Sequence, residues 1–150
     1  MNYADLVRRA GREHAARVVV TCDGRDQTYA EMFERACRLA NALIGLGLEP
    51  GDRVALLGAN GFQTVEQVAG IALGTYVRTA LYAHQTAETN QYLLDLTGAR
   101  VLIAHESLAA GLECEHVIVY GADDSPYEVL LAGASAADPH VPQSDDDGHV

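Results

Sequence analysis

Apolar positions along the chain switch repeatedly between helical spacing and short continuous runs. The pattern is clearest from Thr28 to Ala104. Thr28-Tyr29-Ala30-Glu31 fits a capping box, in which the Thr hydroxyl accepts a first-turn N–H and the Glu carboxylate accepts the N–H of the cap residue. The helix predicted after it has an inward stripe at spacings of three and four: Met32, Ala36, Leu39, Ala40, Leu43 and Ile44. Gly45 and Gly47 offer left-handed exits before the turn at Pro50-Gly51.

Short apolar runs elsewhere predict strands, at Arg53 to Leu57, Tyr76 to Tyr82, Val101 to Ala104 and His116 to Tyr120. Because these runs are almost wholly apolar, they suit strands covered on both faces, as in a parallel sheet. Helices are predicted between them, at Gly61 to Leu73 with Asn60 as cap, at Thr86 to Thr97 ended by Gly98, and at Ser107 to Leu112. Single helices between strands indicate parallel pairing. The predicted fold class is therefore α/β, a mostly parallel sheet flanked by helices, with its strand order open.

The two ends of the chain differ from this central part. Asn2 to Arg17 predicts an amphipathic helix with apolar positions at Leu6, Ala10 and Ala15. Arg17 to Cys22 predicts a buried strand, followed by a turn at Asp23-Gly24. Near the other end, a short helix is expected at Pro126 to Leu131. We expect an α/β domain over residues 1–133 and an acidic, flexible linker or tail over 134–150, with Asp145 to Asp147 solvated.

Charge and composition exclude several function classes. The net charge is −11, and Arg100 is the last fixed positive charge of the 150 residues. Nucleic-acid binding depends on clustered Lys and Arg, so nucleic acid is not an expected partner. No apolar run approaches the roughly 20 residues of a membrane helix, and the N-terminus lacks the apolar core of a signal peptide. We expect a protein of the cytoplasm with no transmembrane segment.

The residue types that carry most enzyme chemistry are sparse. Cys22, Cys37 and Cys114 lie far apart without a CxxC pair, so we expect reduced, structural thiols and no metal site. All ten basic residues are arginine, which excludes any mechanism that needs a lysine of this polypeptide. Four glycines, Gly58, Gly61, Gly70 and Gly74, do not form GxGxxG; turns, caps and close helix packing are their expected roles.

The stretch from TYAE at Thr28 to Ala104 resembles the N-terminal subdomain of the adenylate-forming enzymes, specifically acyl-CoA synthetases and fatty-acid CoA ligases. The resemblance covers about half the chain. Its marks are TYAE opening a long helix, PGDRVALL entering a strand, an Asn before the next helix, and GARV entering a later strand. The resemblance implies the fold of that subdomain and a larger enzyme that binds ATP and Mg²⁺. Such an enzyme joins a carboxylic acid to AMP and passes the acyl group to the thiol of coenzyme A.

The resemblance also shows which parts of that machinery are missing. Relatives hold the phosphates with a Ser/Thr- and Gly-rich loop that ends in Lys, downstream of the matched region, and they use a lysine of a mobile C-terminal domain. This chain has neither, so we expect no catalytic residue in it, no activity alone, and poor binding of ATP, Mg²⁺ and CoA. One candidate remains: His84 stands where some relatives have an arginine near the nucleotide end of CoA. A surface histidine is the alternative interpretation.

Two functions remain open from the sequence. One is the front lobe of an acyl-CoA ligase, whose partners are a carboxylic acid, fatty or similarly apolar, and the missing downstream lobe. The other is a stand-alone binding or oligomerisation module with the same fold. A lobe without its partner should leave an apolar face uncovered and tend to form homo-oligomers. Tyr76, Tyr82 and Tyr92 are candidate members of that face.

Overall fold

The computed structural model describes residues 2–144. They form five helices and six strands. The helices are α1 (Tyr3–Glu13), α2 (Tyr29–Gly45), α3 (Phe62–Leu73), α4 (Ala87–Thr97) and α5 (Pro126–Ala132). The strands are β1 (Val18–Cys22), β2 (Arg25–Thr28), β3 (Arg53–Leu57), β4 (Val77–Ala80), β5 (Val101–His105) and β6 (His116–Tyr120).

Four of the strands form a wholly parallel sheet in the order β4-β3-β5-β6. In register, Val54 of β3 pairs with Arg78 of β4 on one side and with Val101 of β5 on the other. The predicted α/β class with a parallel sheet is confirmed. The chain adds β4 on one side of β3 and then returns across β3 to place β5 on its other side.

Side chains that alternate along the central strands fill two separate cores. Val54, Val101 and Ile103 pack with residues of α2, α3 and α5 on one face of the sheet. Ala55 and Leu102 pack on the opposite face with Leu94 of α4 and the turns after β5. Burial on both faces is the reason that β3 and β5 read as continuous apolar runs.

The first strand differs from its prediction. β1 is half exposed, and it pairs antiparallel with β2 in a separate two-stranded sheet. Asp23 and Gly24, at φ 51° and 74°, form the two-residue turn that joins them. The turn at Asp23-Gly24 was predicted correctly. The prediction that β1 is buried was wrong, because β1 lies in a hairpin outside the main sheet and is covered on only one face. β2 escaped prediction because its first two residues, Arg25 and Asp26, are charged and exposed.

The capping box of α2 is confirmed. Thr28 Oγ1 accepts the N–H of Glu31 at 3.2 Å, and Glu31 Oε2 accepts the N–H of Thr28 at 2.8 Å. The hydrogen bonds that the Thr28 N–H and hydroxyl donate to the Glu31 carboxylate lower its pKa. The predicted inward stripe is buried except for Ile44, which lies exposed in the last turn. The chain leaves the helix through Gly47 at φ 88°, whereas Gly45 remains helical.

Two helix predictions need correction. Ser107 to Leu112 forms turns, because the Ser107 N–H donates to His105 Nδ1 and Gly111 takes φ 78°; six residues are too few to nucleate a helix against these alternatives. Asn60 does not cap α3. Gly61 is the N-cap, and no side chain accepts a hydrogen bond there. The expected helices at Thr86 and Pro126 are confirmed, with Thr86 and Ser125 as caps.

Apolar residues in α1 and just before β4 differ in burial from what was predicted. Ala4 and Val7, rather than Leu6, face the core from α1, and Leu6 is 47% exposed. The inward row continues at Gly11, where an added Cβ would meet the Phe33 ring, so the row has spacings of three and four. Tyr76 is buried in the core, so it is not part of an uncovered face.

Residues 134–144 have no helix or strand, yet they contact the domain at several points. Arg8 forms two hydrogen bonds with Asp138, of 2.7 and 3.1 Å. Asn41 Nδ2 donates to the carbonyls of residues 135 and 137, and Gln143 Nε2 donates to the Ala72 carbonyl. Asp145 to Asp147, predicted to be solvated, lie outside the described residues. Within residues 2–144, no helix has the length and apolar character to cross a bilayer.

Candidate functional site

The carboxyl ends of three parallel strands open onto one crevice. β3 continues into α3 on one face of the sheet, whereas β5 continues into turns that pack on the other face. Adjacent strands whose connections leave to opposite faces create a topological switch point, which is where open α/β sheets bind ligands. A crevice of about 440 Å³ lies there, lined by side chains that include Arg25, Asn60, Phe62, His105 and Tyr120.

Tyr120 closes β6 and forms the floor of this crevice. The residue is only 4% exposed, and burial raises the pKa of its hydroxyl. Its ring meets the His105 ring edge to face, with centroids 5.2 Å apart. A Cβ on Gly58 would overlap the Tyr120 hydroxyl, so the glycine allows the ring to lie against the loop after β3. The hydroxyl has no hydrogen-bond partner within residues 2–144.

His105 closes β5 and is oriented by its own chain. Its Nδ1 accepts the backbone N–H of Ser107 at 3.2 Å and lies 2.8 Å from the Ser107 hydroxyl. Because Nδ1 is an acceptor, the neutral ring carries its hydrogen on Nε2. His105 can therefore donate a hydrogen bond from Nε2 to a ligand.

The hairpin supplies a cation to the rim of the same crevice. The guanidinium carbon of Arg25 lies 4.5 Å from the centre of the Phe62 ring, at the start of α3. This cation–π contact holds the charge near the first turn of the helix. Asp23 is a carboxylate on the same rim, and it lies 3.7 Å from the Cys22 sulfur.

His84, the residue singled out from the sequence, lies apart from this group. It is exposed in the loop between β4 and α4 and makes no hydrogen bond or ion pair within the described chain. It does not line the crevice. The structure thus brings His105 and Tyr120 together and leaves His84 alone.

Sequence reasoning missed both residues that close the strands. The available signal was positional: each ends an apolar run, and the last residue of a parallel strand lies at the ligand-binding edge of a sheet. The strand order that makes β3, β5 and β6 neighbours is not readable from the sequence, and without it the two residues could not be assigned to one site.

In the part of the chain that the structure covers, no three His, Cys, Asp or Glu side chains lie close enough to hold a metal ion. Cys37 and Cys114 are unsuited to nucleophilic chemistry, since burial raises the pKa of Cys37 to about 12 and also raises that of Cys114.

A second polar cluster lies inside the helical layer, and no sequence pattern predicts it. Glu66 of α3 is completely buried and accepts two hydrogen bonds from Arg35. Gln27 Nε2 and the Tyr127 hydroxyl donate to the same carboxylate, each at 2.9 Å. Arg35 also bonds Glu128 at 2.8 and 2.9 Å. None of its members lines the crevice, and the cluster joins β2, α2, α3 and α5.

Burial and hydrogen bonds within this cluster set the protonation states of Arg35 and Tyr127. Burial lowers the pKa of Arg35, but hydrogen bonds to Glu66 and Glu128 outweigh burial and raise the pKa above its ordinary value. Burial raises the pKa of Tyr127 well above 10, and the neighbouring Glu66 carboxylate raises it further. The arginine is therefore charged and the tyrosine neutral at physiological pH.

Comparisons with known proteins extend the resemblance over almost the whole chain. A family model described as AMP-binding enzyme matches residues 7–149. Triostin synthetase I of Streptomyces triostinicus is 56% identical over 52 residues, which are 35% of this chain and 10% of that protein. The 3-oxocholest-4-en-26-oate--CoA ligase of Rhodococcus rhodochrous is 35% identical over 106 residues, 71% of this chain and 19% of that protein.

Solved structures agree in fold. A fatty acyl CoA synthetase of Mycobacterium tuberculosis superposes with a TM-score of 0.83 at 27% identity, over 97% of this chain and 31% of that chain. The chain spans 10% and 19% of the length of the two curated relatives. The matched residues contain the capping box, the parallel strands and the crevice between them. The chain belongs to the AMP-binding enzyme family.

Proposed function

We propose that this chain is the front lobe of an ATP-dependent acyl-CoA synthetase. In the proposed reaction, a carboxylate oxygen attacks the α-phosphorus of ATP, and pyrophosphate leaves. The thiol of CoA then attacks the acyl carbonyl, and AMP leaves. Adenylation is needed because hydroxide is a poor leaving group from a carboxylic acid. Mg²⁺ would stabilise charge on the transferring phosphates.

Higher identity to a CoA ligase over most of the chain supports this proposal. The Rhodococcus rhodochrous CoA ligase is 35% identical over 71% of this chain, whereas Phosphinothricin tripeptide synthetase PhsC of Streptomyces viridochromogenes is 27% identical over 91% of it. The CoA ligase is named for a steroid carboxylate. We extend this to a fatty or similarly apolar acid for the present chain. His84 in the loop after β4 is the proposed contact for the nucleotide end of CoA.

We propose that the 150-residue chain does not catalyse either step alone. Both steps need preorganised donors around the phosphates, and such donors account for much of the rate of an enzyme. The described residues lack a metal-binding cluster, and the chain has no lysine. ATP, Mg²⁺ and, apart from the His84 contact, CoA would be bound by residues that follow the lobe, with 134–150 as the linker.

Exposed apolar groups on α4 favour a lobe over a self-sufficient module. Tyr92 and Leu96 lie one turn apart on α4 and are 63% and 66% exposed. Tyr82, just before the helix, is also exposed. A surface of this kind is typical of a site that another part of a protein covers.

A peptide-synthetase adenylation domain is the second candidate, because the chain is also similar to Phosphinothricin tripeptide synthetase PhsC over 91% of its length. The two functions differ in the acyl acceptor. The gene product that contains this chain should be incubated with ATP, Mg²⁺ and either fatty, aromatic or amino acids. Formation of acyl-CoA from an apolar acid supports the proposal. Loading of an amino acid onto a carrier-protein phosphopantetheine, without acyl-CoA, would replace it with the second candidate.

A further inference from the structure

The crevice at the ends of β3, β5 and β6 concentrates unpaired hydrogen-bond donors. The backbone N–H groups of Phe62 and Gln63 begin α3, and neither has a backbone or side-chain acceptor within residues 2–144. The Gly61 cap offers no side chain to satisfy them. The N-terminus of α3, a helix of 12 residues, therefore directs free N–H groups and the positive end of its dipole at this edge of the sheet.

A buried side chain points to a ligand independently of the helix. Tyr120 is more than nine-tenths buried, yet it lines the crevice and its hydroxyl is unpaired in the described chain. Because Tyr120 lines the crevice, a ligand oxygen there would accept a hydrogen bond from this hydroxyl. His105 adds a second donor, since its Nδ1 is engaged by Ser107 and its Nε2 carries the hydrogen.

Charge around the crevice decides which ligand atoms suit these donors. Arg25, stacked on Phe62, contributes a fixed positive charge beside the first turn of α3. Asp23 is the opposing charge on the rim. The crevice thus has four hydrogen-bond donors, which are Tyr120, His105 and two backbone N–H groups. It also has one cation and one carboxylate. Ligand atoms that only accept hydrogen bonds, and preferably carry negative charge, complement this set.

We propose that this crevice binds an oxyanion, the carboxylate of an organic acid or a phosphate group, between the N-terminus of α3, Arg25, His105 and Tyr120. The ligand's oxygens accept from the Phe62 and Gln63 N–H groups and from the Tyr120 hydroxyl. Gly58 is part of the site because any larger residue would displace that hydroxyl. The proposal does not depend on the proposed ligase activity.

The test is a titration of the ¹⁵N-labelled 150-residue chain, followed by amide chemical shifts. Inorganic phosphate, sodium acetate and sodium chloride are added in parallel at matched ionic strength. Saturable shifts confined to residues near Phe62 and Gln63 with phosphate or acetate, but not chloride, are expected. Saturation by phosphate alone assigns a phosphate group as ligand, and saturation by acetate alone assigns a carboxylate.

Four variants test whether the anion binds through the named residues of the crevice. Tyr120→Phe keeps the ring and removes the unpaired hydroxyl, and Arg25→Gln changes an exposed side chain; each should weaken binding roughly fivefold or more. Asp23→Asn should strengthen it. Arg78→Gln removes an exposed arginine of β4 that does not line the crevice, so it should leave the affinity unchanged. Equal shifts with chloride, no shift at Phe62 and Gln63, or equal losses in Arg25→Gln and Arg78→Gln would overturn the proposal.

Discussion

Arg35 of α2 and Glu66 of α3 form a two-point ion pair inside the helical layer, with N–O distances of 2.6 and 2.8 Å. The carboxylate is completely buried, and the guanidinium reaches on to Glu128 of α5. Gln27 of β2 and Tyr127 of α5 complete the group. A single buried carboxylate thus joins the hairpin, two central helices and the last helix to one another.

Removing the arginine should be among the most costly single changes in the chain. Arg35→Met leaves the Glu66 charge buried with only Gln27 and Tyr127 as donors, so the free energy of unfolding should fall by about 3–5 kcal/mol. Urea denaturation measures the loss. Arg9→Met is the control, since Arg9 pairs with Glu13 on the exposed surface of α1 and should cost less than about 1 kcal/mol.

The double variant Arg35→Met with Glu66→Gln separates charge from shape. Removing both charges leaves no unpaired buried ion, so the double variant should be more stable than Arg35→Met alone. If the loss of stability in the double variant, measured from the wild type, equals the sum of the losses in the two single variants, the ion pair does not act as described.

Glu66 shows why a buried polar group is hard to find from sequence. A glutamate in a helix is ordinarily exposed, and its partner Arg35 lies 31 positions earlier on another helix. Only the packing of α2 on α3 brings them together. The capping box at Thr28, by contrast, is a local pattern of four residues, and it was predicted and confirmed.

Close packing of the same two helices predicts opposite effects of two glycine substitutions. A Cβ on Gly70 of α3 would come within 3.0 Å of the Ala36 carbonyl and of Leu39. Gly70→Ala should therefore cost about 1–3 kcal/mol despite the better helix propensity of alanine. Gly45→Ala, where nothing lies within 4 Å, should be neutral or stabilising by up to about 1 kcal/mol. Thermal denaturation of both variants checks the pair, and equal effects would contradict it.

Fold class was predictable from the sequence, but the arrangement of the sheet was not. Strands β3 and β5 are apolar on both faces, and that composition alone indicates parallel pairing. Their order depends on which side of β3 each crossover returns, which no local residue pattern specifies. The crevice was therefore unpredictable, because its residues come from β2, α3, β5 and β6. His84 was found through the resemblance alone, and its proposed role stays a prediction.

Alkaline pH should weaken the fold through a buried thiol. Burial raises the pKa of Cys37 from 9.0 to about 12, so between these values the unfolded chain releases a proton that the folded chain retains. This stability is complete below about pH 9 and is lost as pH rises toward 12, by up to about 1.4 kcal/mol per pH unit. Cys37→Ala should reduce the slope of stability against pH between 9 and 10. An unchanged slope would show that Cys37 does not titrate this way.

Exposed apolar groups on α4 predict self-association of the chain when it is studied alone. Tyr92 and Leu96 form one ridge of the helix. Sedimentation velocity should show concentration-dependent oligomers for the wild type and fewer for Tyr92→Gln with Leu96→Gln. Leu6→Gln is the control, because Leu6 is exposed on α1 and lies outside the ridge. A monomer at all concentrations would remove support for a covered face at α4.

The most direct measurement is carboxylate-dependent exchange of pyrophosphate into ATP. It should be made on two samples: the 150-residue chain, and the gene product captured from its source with an antibody to this lobe, sized on the same preparation. We predict that the captured product is several times heavier than 16.0 kDa and exchanges pyrophosphate with an apolar acid, whereas the chain alone does not. Exchange by the 150-residue chain itself, or a captured product near 16 kDa without exchange, would contradict its assignment as the front lobe of a ligase.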